Sequence, residues 1–253
     1  MPIKDLYAFD FDDTLAVTSS LIGVKRTKDQ KADPGFKNWI LENSLDFEDI
    51  ESEGSDGEIF WFSSEDFAKY QEKHKEDLDY LSSNNLIDEY DFSQTGSIDL
   101  EKSSPVASML DLLKNAQSQP DSLVIILTAR TGRTPISSLN GSQITPTNIE
   151  DIETFLGDQG INLPKSLINT AGDIGDGPAA KASVIKSYIS QYNPEHVHFY
   201  DDHQGNLDSV AALCQDYYPE VKISVFKVSG GGSVSGPEGC YENYFSKFDR
   251  LFS

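Results

Sequence analysis

An α/β fold with a parallel central sheet is predicted by three observations. Apolar runs of strand length recur at 3–10, 123–128, 196–200 and 221–228, and helical apolar periodicity alternates with them after residue 104. Two of these runs end in paired aspartates, Asp10 and Asp12 in one and Asp201 and Asp202 in the other, where open α/β sheets place their ligands. Residues 23–104 break the alternation, so a chain of 253 residues is divided into a core and one insertion. Strand-helix alternation implies right-handed crossovers with helices on both faces of the sheet, a three-layer arrangement.

The first element is Tyr7-Ala8-Phe9-Asp10-Phe11-Asp12-Asp13-Thr14-Leu15, an apolar strand that closes in three carboxylates. Charges this crowded repel unless a cation compensates them. Hard carboxylate oxygens at a strand end suit Mg2+, and a solvated acidic turn is the alternative. Ser104 as N-cap and Pro105 at the first helical position open a helix in which Val106, Met109, Leu110 and Leu113 repeat at three and four residues. That helix leads into Leu123-Val124-Ile125-Ile126-Leu127-Thr128, a strand that closes in a hydroxyl. Thr147 and Glu150 form a capping-box pattern before Ile149, Ile152, Phe155 and Leu156, with Gly160 as the stop. A short strand near Leu167–Asn169 follows. The Gly-rich loop from Gly172 to Pro178 then opens a helix that carries Lys181 and shows Val184, Ile185, Tyr188 and Ile189 on one face. It runs into Val197-His198-Phe199-Tyr200-Asp201-Asp202, the second strand with an aspartate pair, and a helix near 205–215 precedes the strand Val221–Val228.

The insertion is acidic and rich in Ser and Asn, yet it carries Phe36, Trp39, Phe47, Phe60, Trp61, Phe62, Phe67, Tyr70, Tyr80, Tyr90 and Phe92. So many aromatics exclude pure disorder. They serve either a small core of the insertion's own or stacking against a base or ring. After Val228, Ser229–Gly236 is read as a flexible Gly/Ser segment, and no Gly-Lys-Ser/Thr follows that would make it a phosphate-binding loop. Tyr241, Tyr244, Phe245, Phe248, Leu251 and Phe252 then form the apolar stripe of a C-terminal amphipathic helix over the end of 229–253. The stripe docks on its own domain or on a second subunit.

A net charge of −22 argues against an extended nucleic-acid surface, which needs clustered Lys and Arg. No apolar run reaches the roughly 18 residues of a membrane span, and no signal peptide is read at the N-terminus, so a cytoplasmic protein is expected. Cys214 and Cys240 have no Cys or His neighbour at metal-ligand spacing and read as ordinary thiols.

The ordered set Asp10-x-Asp12-x-Thr14, Thr128, Lys181 and Asp201-Asp202 resembles the haloacid dehalogenase-like superfamily of phosphoryl-transfer enzymes, over residues 3–15 and about 105–228. The resemblance implies a Rossmann-like three-layer sandwich with strand 3–10 central and strand 196–200 beside it. Residues 1–22 and 105–228 become the catalytic core and 23–104 an inserted cap that covers the site. Asp10 becomes the nucleophile that forms an aspartyl-phosphate, and Asp12 the general acid and then base. Mg2+ is held by Asp10, the Asp12 main-chain carbonyl and Asp201, with Asp202 orienting Lys181 or a metal-bound water. Thr128 and Lys181 meet the phosphate oxygens.

Arg130 and Arg133, just past Thr128, suit bidentate contact with a phosphorylated substrate, and His203 and Asn206 fall where the rim of the site is expected, although Asn206 equally suits a helix start. The layout from Thr128 to Asp202 is also loosely similar to the phosphatase domain of polynucleotide kinase-phosphatases. The expectation is thus a Mg2+-dependent phosphomonoester hydrolase for a small phosphorylated substrate, a nucleotide or a short oligonucleotide end. The alternatives are a sugar-phosphate or other metabolite phosphatase, and a catalytically silent binding protein on the same fold.

Overall fold

The structure is a computed structural model that describes residues 3–25, 48–50, 59–64, 66–67, 69–70, 89–175, 177–229 and 231–239. The chain separates into two compact units: Met1–Thr18, Leu100–Arg133 and Thr147–Ser253 form the first, and Ser19–Asp99 with Thr134–Pro146 the second.

In the first unit the elements follow one another as β1 (Asp5–Phe9), α1 (Ala107–Ser118), β2 (Ser122–Thr128), α2 (Asn148–Asp158), β3 (Ile168–Thr170), α3 (Pro178–Tyr192), β4 (His196–Asp201), α4 (Gln204–Asp216), β5 (Lys222–Ser229) and β6 (Ser233–Gly239). The sheet order is β3-β2-β1-β4-β5-β6. The first five strands are parallel and β6 alone runs antiparallel, against β5. This is a mixed α/β fold with a mostly parallel sheet, compatible with a Rossmann-like sandwich. Strand order reverses between β1 and β4, and in open α/β sheets that reversal opens a crevice at the carboxyl ends of the strands.

Alternation along the strands decides which side chains meet which helices. Leu6 and Ala8 of β1, Ile125 and Leu127 of β2, Val197 and Phe199 of β4, and Ile223 and Val225 of β5 form one core with Val184, Ile185 and Ile189 of α3 and Leu207, Val210 and Leu213 of α4. Met109, Leu110 and Leu113 of α1 and Ile152, Phe155 and Leu156 of α2 are buried outside that core. The intervening residues of β1, β4 and β5 make a row of rings in strand register: Tyr7 stacks on His198 at 4.3 Å, Phe9 on Tyr200 at 4.8 Å, and Tyr200 on Phe226 at 4.6 Å. Cross-strand pairs of this kind stabilise a sheet by roughly 0.2–1 kcal/mol each.

Several local expectations are corrected. Ser104–Pro105 is not a helix start; it pairs antiparallel with Ala16–Val17, and the Val106 N–H donates to the Leu15 carbonyl before α1 begins at Ala107. The Thr147 hydroxyl bonds the Asp151 carboxylate rather than a backbone N–H, and Glu150 pairs with Lys165, so the capping box does not form. Gly160 does stop α2. At φ +73° it allows its own N–H to reach the Gly157 carbonyl, while the Ile161 N–H reaches that of Leu156, the paired bonds of a Schellman end. The Gly/Ser stretch is no flexible linker throughout: Gly231 and Gly232, at φ +81° and +80°, turn the chain back into β6. Cys214 is disulfide-bonded, which corrects its reading as an ordinary thiol; Cys240, the only other cysteine of the chain, lies outside the described residues. The C-terminal stripe from Tyr241 to Phe252 also lies outside them. Among the described residues no helix is long and apolar enough to cross a membrane.

The second unit holds an antiparallel sheet ordered Glu48–Ile50, Ile59–Phe62, Ile22–Lys25, Glu89–Asp91. Ile22, Val24, Phe60, Phe62, Phe67 and Tyr70 form its core with Tyr90 against it, so these aromatics pack on one another. Phe36, Trp39, Phe47 and Tyr80 lie outside the described residues. Residues 134–146, expected in the core domain, belong to this unit instead. Asp91 accepts a hydrogen bond from the Leu139 N–H at 3.0 Å, and Gly96 packs so closely on Ile136 and Ile144 that a Cβ there would come within 3.0 Å of Ile144.

Candidate active site

The parallel register fixes where the aspartates fall. Phe9 pairs with Tyr200 and the Asp10 N–H donates to the Tyr200 carbonyl at 2.9 Å, so Asp10 leaves β1 level with Asp201 at the end of β4. Phe9 also pairs with Ile126, which puts Thr128 just beyond on the other side. Past Asp10 the chain folds into a tight turn: Asp13 takes φ +55°, its N–H donates to the Ala16 carbonyl, and the Leu15 and Ala16 N–H groups both donate to the Phe11 carbonyl. That turn carries Asp12 back toward the strand ends.

Lys181 joins the two strands. Pro178 at the first helical position and Gly177 at φ +75° start α3, and its first turn delivers Lys181, 2% exposed, to the crevice. Its Nζ lies 2.6 Å from Asp10 Oδ1 and 2.7 Å from Asp201 Oδ2. Asn206 of α4 donates to both Asp201 oxygens at 3.0 and 3.1 Å, and the His203 N–H donates to Oδ1 at 2.8 Å. Asn206 is therefore a buried orienter of Asp201. His203 contributes its backbone, and the residue itself is exposed.

Asp12 is partnered by a residue that was expected to contact substrate. Arg130, buried, makes a forked pair with it: Nε lies 2.9 Å from Oδ2 and Nη2 2.7 Å from Oδ1. Thr18 donates to Asp12 Oδ1 at 2.7 Å, and Thr128 to Oδ2 at 3.4 Å. Behind Arg130, Asn148 Oδ1 accepts from Nη1 at 3.4 Å while its amide holds the Thr131 carbonyl at 2.7 Å. Asp173 secures the rest of the loop by accepting from the Gly132 and Arg133 N–H groups, each at 3.1 Å. Arg133 itself is exposed. Thr18, Asn148 and Asp173 were not among the residues singled out in the sequence. No spacing links them to a motif, because their partners come from other elements.

Glycine is required where this loop meets the next. A Cβ on Gly172 would lie 2.5 Å from the Ala129 carbonyl oxygen and 3.0 Å from that of Arg130. Gly172→Ala should therefore push the Arg130 loop away and lower stability by about 1–3 kcal/mol, read by urea denaturation. An unchanged midpoint would show that the loop adapts freely.

The electrostatics are those of a site with surplus negative charge. Four carboxylates, Asp10, Asp12, Asp201 and Asp202, face two cations, Lys181 and Arg130, which leaves two negative charges uncompensated when all four are ionised. Burial, then the charges of Asp201, Asp202 and Asp12, hold the Asp10 carboxyl well above its ordinary range against the pull of Lys181. Asp202 is pushed up to about 7 by burial, by Asp201 and by Asp13. Burial acts to lower Lys181, but Asp10 and Asp201 outweigh it and keep the ammonium charged. Asp12 goes the other way: despite burial, the charge and hydrogen bonds of Arg130, with the Thr18 bond, hold it below the usual carboxylate range.

The donor set fits a hard divalent cation. Oxygens of Asp10, Asp201 and Asp202 lie within 4.8 Å of one another, and octahedral Mg2+ holds oxygens at about 2.1 Å, so neighbouring ligands sit about 3 Å apart. Lys181 occupies only Oδ1 of Asp10. The cluster could hold a metal ion through carboxylate oxygens. No protein-family model, curated protein or solved structure matches this chain.

Proposed function

We propose that this chain is a Mg2+-dependent phosphomonoester hydrolase of the haloacid dehalogenase-like type, acting on a nucleotide or a short oligonucleotide end. One observation carries the reading: at the reversal of strand order, Asp10 and Asp201 end neighbouring parallel strands with Lys181 buried between them. Phosphoryl transfer needs mainly this, a positioned nucleophile in a fixed field of charge.

In this reading Asp10 attacks phosphorus with Oδ2, the oxygen not taken by Lys181, and the bond to the leaving oxygen breaks as the aspartyl-phosphate forms. The departing alkoxide takes a proton from Asp12. Water then attacks the phosphorus and gives a proton to Asp12, which frees phosphate and restores Asp10. Lys181 keeps Asp10 aligned and offers its charge to the phosphate oxygens. Asp10, the Asp12 main-chain carbonyl, Asp201 and Asp202 would hold Mg2+, which would supply charge neutralisation between carboxylate and phosphate. Arg130, committed to Asp12, is a positioning residue, and Arg133 and His203 are left as substrate contacts. The second unit, inserted directly after the Asp10 turn, is assigned the part of a specificity cap.

Arg130 holds Asp12 as a carboxylate, which prepares it to act as a base, so the proton it passes to the leaving group in the first step must arrive with the substrate, as the monoanion of a phosphomonoester brings one. Substrates with good leaving groups should suffer least from its loss. With nitrophenyl phosphate, Asp12→Asn is expected to release a burst of nitrophenolate and then stall, with the phosphoenzyme trapped by acid quench. Absence of both burst and phosphoenzyme would count against the assigned role.

A second expectation concerns pH. Asp202 loses its proton near 7 in the cation-free chain, so below that pH a metal must displace the proton. Mg2+ affinity should rise between about pH 6 and about pH 8, by up to roughly tenfold per pH unit below the pKa, in calorimetric titrations. Asp202→Asn should flatten that rise; an equal slope in the variant would place the titrating group elsewhere.

The function itself is tested on a panel of phosphomonoesters, with and without Mg2+, containing nucleoside monophosphates, a terminally phosphorylated oligonucleotide and sugar phosphates. Best turnover of sugar phosphates would replace the substrate assignment. No turnover of any of them would leave a binding protein.

A further inference from the structure

A second group of ligand atoms lies at the opposite end of the same strands. Asp5 and His196 pair in register where β1 and β4 begin, and His198 follows two residues later on the same face. Their ligand atoms lie within 4.8 Å of one another. His198 Nε2 is 2.9 Å and His196 Nδ1 3.8 Å from the same oxygen, Asp5 Oδ1. A tetrahedral ion with bonds of about 2.0–2.1 Å holds its ligands about 3.4 Å apart, so these two separations bracket the required one. All three residues are partly exposed, which leaves a path for an ion.

The surroundings match a ligating histidine. His196 Nε2 lies 2.8 Å from Ser224 Oγ on β5, and a proton donated there leaves the Nδ1 lone pair directed at the cluster, as the outer partner of a metal-bound imidazole does. The Tyr7 ring, stacked on His198 at an interplanar angle of 6°, fixes the second imidazole. Lys222 on β5 pairs in register with His196 and borders the cluster with a positive charge. That charge disfavours a hard ion held by charge alone and favours one bound through imidazole nitrogen.

The geometry points to a His2Asp site for a borderline divalent transition ion such as Zn2+, formed by Asp5, His196 and His198 and oriented by Ser224. Five residues of strand separate it from Asp10, roughly 16 Å, so the ion ties β1 to β4 without entering the carboxylate cluster. The inference does not depend on the phosphatase reading.

Co2+ serves as the probe, because its visible absorption is strong in four-coordinate sites and weak in six-coordinate ones. The full chain, with Mg2+ in excess to occupy the carboxylates, is titrated with Co2+ and then with Zn2+. We expect one equivalent of strongly absorbing Co2+, displaced by Zn2+, and a thermal midpoint that rises with Zn2+ concentration. Asp10→Asn with Asp201→Asn should leave the absorption intact. His196→Gln and His198→Gln should each abolish it, and Ser224→Ala should weaken Co2+ binding by roughly 10-fold or more. Circular dichroism of each variant separates loss of ligand from loss of fold, and Asp5→Asn, which removes no ring from the stack, gives an independent reading. Weak absorption only, or strong absorption that survives His196→Gln, His198→Gln or Asp5→Asn in folded protein, overturns the assignment.

Discussion

Asp10→Asn is expected to abolish Mg2+-dependent hydrolysis of an aryl phosphate, by roughly 10^4-fold or more, while the protein stays folded. The amide keeps the shape of the carboxyl but cannot carry phosphorus as an acyl phosphate. Stability should not suffer. Lys181 retains Asp201 at 2.7 Å, and a carboxyl whose ionisation is opposed by burial and by three neighbouring carboxylates is replaced by a neutral amide. The thermal midpoint without metal should be unchanged or higher, and Mg2+ should raise it less than in the native chain. Hydrolysis within tenfold of the native rate would remove Asp10 as nucleophile. A large loss of stability would show that the Asp10–Lys181 pair holds the fold.

Arg130→Met carries the largest expected effect on stability. The guanidinium side chain is 4% exposed and the Asp12 side chain 17%, and removing the cation leaves a carboxylate short of its main partner inside the crevice. Breaking one side of such a pair costs about 3–5 kcal/mol, and the partial exposure of Asp12 puts this one near about 3. For a chain of this size that is a fall of about 6–12 °C in Tm. Asp12→Asn combined with Arg130→Met should recover much of the loss, because no charge is then stranded. The folded pKa of Asp12 lies below its unfolded value of about 3.9, so the pair's contribution is complete above that pH and is lost as pH falls through the folded value. The variant should therefore lose stability at neutral pH and show a shallower acid limb. If Arg130 were instead a substrate clamp, Tm would stay put and KM alone would rise.

That pairing shows where sequence reading stops. The strands that end at Asp10, Thr128 and Asp201 were legible because alternation and apolar runs are local properties, and their common end of the sheet follows from parallel pairing. The meeting of Lys181 with Asp10 and Asp201 was legible only through the order of motifs. The commitment of Arg130 to Asp12 was not, since a guanidinium two residues past a strand reaches many places and the turn at Asp13 decides which carboxylate it finds. Asn206 suited the rim of the site and a helix start equally, and from the first turn of α4 it holds Asp201, because that helix begins directly under the strand that ends in the aspartate. Gly231 and Gly232 suggest a linker by composition, yet positive φ at both is what a reversal into β6 needs. The segment 134–146 joins the second unit through Asp91, Gly96, Ile136 and Ile144, contacts that no local pattern announces.

The position of β1 in the middle of the sheet has a consequence for biosynthesis. Its neighbours are far along the chain: Phe9 pairs with Ile126 on one side and with Tyr200 on the other. At roughly 5–20 residues per second, the ribosome delivers Tyr200 about 10–40 s after Phe9. During that interval Leu6, Ala8 and Phe9 have no sheet to enter, and the second unit, complete but for 134–146 by residue 99, is made before either neighbour. Asp10 and Asp12, on which the proposed chemistry depends, are thus synthesised early and are among the last to be assembled. A nascent chain carries its carboxylates dispersed, and the charge-crowded crevice forms only when nearly the whole core is present to hold it closed.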